Sequence, residues 1–219
     1  MKSNEDLQKN VVAAINWEPL LQAAEIGVMA IDGVVTLTGS VNTYAKKAEA
    51  EQAARNVTGV KTVVENIHVV CDAAEKRTDA QIIMAIVSAF KWHWDIPTEK
   101  ISVIVENGWV FLTGELEWNY QKEAVKSAIS NLIGITGITN NISITNSSKD
   151  IIELKDIEMA IERNGTINNK DITIDIFDSV VTLRGHVDSW HQKSEAGRIA
   201  WNAPGVKQVQ NDLYVDFEE

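Results

Sequence analysis

Apolar residues along this chain follow two periods in turn. Leu7, Val11, Ala14 and Ile15 recur at helical spacing, the stripe of an amphipathic helix with one buried face. Ile26, Val28 and Ala30 then alternate with their neighbours, as a half-buried strand does. The dipeptide "DG" at 32–33 interrupts the alternation before Val35 and Leu37 resume it, which predicts a tight β-hairpin. A second helical stripe follows at Ala50, Ala53, Ala54 and Val57, and a last strand at Val63, Ile67 and Val69. The small residues of that second stripe let the helix sit close to a sheet.

The same sentence is written twice more. "DGVVTLTGSV" (32–41) returns as "NGWVFLTGEL" (107–116) and "DSVVTLRGHV" (178–187). The first helix recurs at Ile82, Ile86, Ala89 and Phe90, opened by a capping box in "TDAQ" (78–81), and again at Ile157, Ala160 and Ile161. Gly39, Gly114 and Gly185 mark the sharp exit from the hairpin, and Gly59, Gly134 and Gly205 read as C-terminal caps of the second helix. From Asp32 to Val69, Asn107 to Ile144 and Asp178 to Val215 the copies align without a gap. The fold class is therefore α+β: three tandem αββαβ units over 1–72, 73–147 and 148–219, each a small three-stranded sheet with two helices on one face. The linkers "CDAAEKR" (71–77) and "TNSSKD" (145–150) are short and polar.

Composition narrows the function. With 45% apolar and 23% charged residues the chain is globular in type, and its net charge of -11 excludes a nucleic-acid binder that relies on clustered Lys and Arg. The charge divides as -3, -2 and -6 over the three units, so no unit is basic. Electrostatic adhesion to anionic lipid is disfavoured on the same ground. The single cysteine, Cys71, allows no intramolecular disulfide and no multi-thiolate zinc site. The polar start "MKSNEDLQKN" and the lack of a long apolar run predict a cytoplasmic protein without a transmembrane segment, or a periplasmic one if a leader has been removed.

With order, spacing and paired glycines in hand, the repeat resembles the BON (bacterial OsmY and nodulation) domain. The features that carry the likeness are "DGVVTLTGSV" followed by "GVKTVVENIHV", their two counterparts, and "INWEPLLQAAEIGV" ahead of the first core. The resemblance implies an αββαβ fold, no catalysis, no cofactor, and a binding role in osmotic or envelope stress. Phospholipid or membrane-surface association is the leading expectation. A protein–protein scaffold assembling through outer sheet faces, and sensing of a small potassium-like ion or a metabolite, are the alternatives. The third copy departs from the pattern, with Ser179 at the turn glycine and Arg163 at the position of Trp17 and Trp92.

Two groups of residues are candidates for contact. The first is aromatic and lies at helix ends: Trp92 and Trp94 in "KWHWDIP", with Trp118 and Tyr120 in "EWNY". Trp and Tyr join an apolar body to a polar tip and suit a membrane interface, although a tryptophan at a helix end can equally cap a core. The second is the sheet face away from the helices, where alternation places Ile104, Trp109 and Phe111 in the middle copy. Burial against another repeat, self-association and a lipid or other ligand would each explain that face. Only the middle copy reads as strongly apolar there, since the corresponding residues elsewhere include Thr36, Thr38, Asp175 and Arg184.

Enzyme chemistry finds no foothold. His186 and His191 flank a strand-to-helix turn without ligand-spaced carboxylates or thiols, and His68 and His93 stand in other contexts. Cys71 has no basic cluster to activate it, and the glycines form no phosphate-cradling loop.

Overall fold

The computed structural model describes residues 3–22, 25–70, 76–145, 152–165, 167 and 171–215. Cys71 and most of both linkers lie outside them. Three separate three-stranded sheets are present, each with two helices, in the repeated order predicted from the alternating periods.

In the first repeat α1 (Asn4–Trp17) is followed by the hairpin β1 (Glu25–Ile31) and β2 (Val34–Val41), then α2 (Tyr44–Arg55) and β3 (Thr62–Val69). β1 pairs antiparallel with β2, and β2 pairs parallel with β3, so β2 is the central strand and the α2 crossover covers one face. The second repeat repeats this with α3 (Asp79–Lys91), β4 (Ile101–Glu106), β5 (Trp109–Leu116), α4 (Asn119–Ser130) and β6 (Gly137–Ile144). The third runs α5 (Leu154–Glu162), β7 (Ile172–Phe177), β8 (Val180–Val187), α6 (Trp190–Trp201) and β9 (Gln208–Val215). At nine residues α5 is about one turn shorter than α1 and α3, the difference falling at its N-terminal end.

Each core is the residue set that the two periods select. Leu7, Val11 and Ile15 of α1 meet Val35 and Leu37 of β2, Ala50, Ala53 and Ala54 of α2, and Ile67 of β3. Ile157 and Ile161 meet Val181, Leu183, Ala196, Ala200 and Leu213 in the same way. In the second repeat Ile82, Ile86, Phe90, Val110, Leu112, Val125, Ile129 and Ile142 are buried. Ser3, Thr43, Thr78 and Ser189 cap helices with their hydroxyls, and Thr78 with Gln81 forms the capping box expected of "TDAQ".

One reading of the glycines is corrected. Gly59 does not cap α2, because the helix ends at Arg55 with Asn56 as its cap. Gly59 instead takes a left-handed conformation, φ 100°, in a following turn closed by the Val60 N–H donating to the Val57 carbonyl. Gly134 and Gly205 adopt the same conformation in their copies. The turn is drawn toward the hairpin tip, where the Gly33 carbonyl accepts the Lys61 N–H at 2.7 Å. In the next copy a Cβ on Gly108 would stand 2.5 Å from the Gly134 carbonyl oxygen.

Candidate functional site

The most distinctive surface feature is the loop that leaves the first helix of each repeat. In the second repeat Phe90, the last buried residue of α3, and Ile96 anchor the two ends in the core. Between them the Trp92, His93 and Ile96 N–H groups donate to the Ala89, Phe90 and His93 carbonyls, which fixes the backbone. Trp92 and Trp94 are left pointing outward, 86% and 94% exposed. The first repeat builds the same loop between Ile15 and Leu21, with Trp17 85% exposed beside the partly exposed Leu20. The third builds it between Ile161 and Ile167, again with Asn164 and Ile167 N–H donors, but it carries Arg163 where the others carry tryptophan. Arg163 turns back, its Nε donating to the Met159 carbonyl at 3.2 Å.

These exposures decide between two readings of the helix-end tryptophans. Phe90 and Ile96 already fill the core on either side, so no space remains for the indoles, and they do not cap it. Trp92 and Trp94 are thus held together on one loop. Trp118, 37% exposed, and Tyr120, 53% exposed, flank the start of α4 and stand outside that loop. Trp190 opens α6 with Lys193 Nζ 5.3 Å from its ring centroid.

The outer sheet faces differ from the sequence reading in one respect. The middle copy does present Ile104, half-buried Phe111 and Trp109. Trp109, 42% exposed, rests one side of its ring on its own sheet: the ring lies where a side chain on Gly137 would project, 2.6 Å from an added Cβ, and its Nε1 donates to Thr139 Oγ1 at 2.9 Å. The absence of a side chain at Gly137 makes room for the ring. The first copy is apolar too, through Met29, Ile31, Val34 and Val64, all at least 40% exposed. Alternation on β2, which shows Val34 and then Thr36, hid this, because Met29 and Val64 lie opposite Thr36 on β1 and β3 and Ile31 lies opposite Val34 on β1. The third face is polar at its centre, where Arg184 pairs with Asp175 at 3.0 Å, and carries a His186–Tyr214 ring contact at 4.0 Å.

Sequence reasoning missed a polar clamp built three times. Lys47, Lys122 and Lys193 in the second helices donate to the carbonyls of Ile67, Ile142 and Leu213 on the last strands. Glu65, Asn140 and Asn211, two residues earlier on those strands, accept the N–H of the same three residues. Glu65 also pairs with Lys47 at 2.9 Å. Both backbone groups of one residue on an edge strand are thereby satisfied by side chains. The signal was present in the sequence, since the three lysines and the three strand residues recur at the offsets of the glycines.

Among the described residues, titration is clearly perturbed at Tyr44, Glu195 and Arg198. Burial raises the Tyr44 phenol above its ordinary range, helped by Glu51 and Glu65. Hydrogen bonds from Arg198 hold Glu195 below its own range, with one oxygen contact at 2.8 Å. Among the described residues no group of three His, Cys, Asp or Glu side chains could hold a metal ion, and no helix is long and apolar enough to cross a membrane.

Comparison with known proteins matches this geometry to one family. The BON domain model matches residues 3–71, 78–146 and 154–216. Osmotically-inducible protein Y of Escherichia coli (strain K12) is 25% identical over 187 residues, covering 82% of this chain and 92% of that protein. Among solved structures, the C-terminal domain of CdsD, a structural protein of the type III secretion system of Chlamydia trachomatis, aligns over 96% of this chain and 98% of that one. Its identity is 14% and its TM-score 0.24, a likeness too loose to bear on fold or function.

Proposed function

The chain belongs to the BON domain family, and from that premise we propose that it is a non-enzymatic stress-protection protein that associates peripherally with phospholipid surfaces. The relative induced by osmotic stress supports the physiological setting. The observation that carries the contact is the Trp92–Trp94 loop. Two indoles held in water by a backbone pinned at Phe90 and Ile96 gain nothing for the fold. Removing about half of each ring's roughly 200 Å² from water would contribute about 2.5 kcal/mol per ring. Because the loop is already ordered, little conformational entropy is lost on contact.

Flotation with phospholipid vesicles tests this reading. The wild-type chain is expected to rise with the vesicles and the Trp92→Ala/Trp94→Ala variant to stay behind, with unchanged circular dichroism in both. A second reading, protein–protein scaffolding, is favoured by the apolar outer face of the first repeat, Met29, Ile31, Val34 and Val64. A chain that fails to float with any vesicle but sediments as an oligomer broken by Val64→Lys would replace the first reading with the second.

A further inference from the structure

Resting on the membrane reading above, we infer that the lipid surface these loops fit is zwitterionic, and that contact is made by indole insertion without help from charge. Three observations converge on this. The residues around the exposed tryptophans offer no basic cluster. In the first repeat there is no Lys or Arg between Lys9 and Lys46, while Glu18 and Glu25 flank the loop. In the second, Lys91 and Lys100 are matched by Asp95 and Glu99, and His93 Nδ1 lies 3.9 Å from Asp95.

The third repeat supplies the contrast. It has corresponding anchors, Ile161 and Ile167, and the corresponding N–H donors Asn164 and Ile167, yet its cation, Arg163, comes with no aromatic beside it. An anion-seeking surface would combine the two, or cluster several cations as anionic-lipid sites do. The first loop carries an indole without a cation, the third a cation without an indole, and in the second the cations beside the indoles are matched by carboxylates. The chain as a whole, at -11, is repelled by a negatively charged bilayer. A zwitterionic headgroup layer removes that repulsion and still offers ester and phosphate oxygens to an indole N–H.

The test is partition of the full chain into vesicles of phosphatidylcholine alone and of phosphatidylcholine mixed with phosphatidylglycerol, each in low and high salt. Phosphatidylcholine is expected to bind with less than about twofold dependence on salt, and at low salt about tenfold more tightly than the mixed vesicles. Trp92→Ala/Trp94→Ala is expected to lose at least about tenfold in partition, and Arg163→Trp to gain severalfold. Tighter binding to the mixed vesicles, weakened by salt, would overturn the zwitterionic assignment and leave membrane contact standing. Binding to neither vesicle would overturn membrane contact itself. Phosphatidylcholine binding that neither variant changes would overturn the assignment to these loops.

Discussion

Gly39, Gly114 and Gly185 have no room for a methyl group. A Cβ on each would stand within 2.2 Å of the carbonyl oxygen of Glu25, Lys100 or Asp171, at or just before the start of the paired strand, at φ between 119° and 147°. Gly114→Ala is therefore expected to cost about 3 kcal/mol or more, from steric clash and backbone strain together, read as a fall in the denaturant midpoint. The hairpin tips ask for two consecutive left-handed residues, as type I′ turns do. Asp32–Gly33 and Asn107–Gly108 meet that demand with glycine second, whereas Ser179 sits at φ 68°. Relief of this strain, less the greater chain entropy of glycine, should make Ser179→Gly stabilising by about 0.5–1 kcal/mol. A lower midpoint for that variant would show that the turn is not where the third repeat is strained. Both positions were legible in the sequence, because the turn chemistry and its exception were written in three aligned copies. The outward aim of Trp92 and Trp94 was not. The same amphipathic ring suits a core cap or a wet edge, and what decided it was Ile96, six residues past the helix stripe, filling the core first.

Among the elements, period-two and period-3.6 patterning gave the helices, strands and order, since burial on one face leaves little other choice. Pairings between elements were harder to read. A glycine just past a helix commonly caps it, whereas the task of Gly59 is to bring a turn against the hairpin tip. The lysine clamp is hard to read from sequence because a lysine on a helix is ordinarily a solvated residue. Lys122 Nζ reaches the Ile142 carbonyl at 2.6 Å, and Asn140 spans from the Ile142 N–H to the Lys122 carbonyl. Lys122→Met keeps the apolar stem and removes the donor, so it isolates the hydrogen bond. The expected loss is about 1–2 kcal/mol, charge-assisted yet at a half-exposed edge where water can substitute. Lys122→Arg should recover part of it. Equal stability of the Met variant in urea would mean the clamp orders the edge strand without stabilising it.

Over the whole molecule the features are unequally shared: exposed tryptophan loops on the first two repeats, the largest share of negative charge on the third. That distribution carries a pH dependence. A surface potential of about −30 mV opposes each net negative charge held within a Debye length, about 8–10 Å, by roughly 0.7 kcal/mol. The middle repeat, at -2, would then meet about 1.4 kcal/mol of repulsion, or close to tenfold in partition. Lowering the pH from 7 toward the isoelectric point near 4.9 takes the net charge from -11 toward zero, the direction that removes this opposition. Partition into phosphatidylglycerol-containing vesicles is accordingly expected to rise about tenfold across that interval, while partition into phosphatidylcholine stays within about twofold. Co-sedimentation at stepped pH, with circular dichroism to confirm that the fold persists, measures both curves. Parallel curves would mean that the indole loops bind where the protein's own charge is not felt. Rising curves on both lipids would point to acid-exposed apolar surface in place of relieved repulsion.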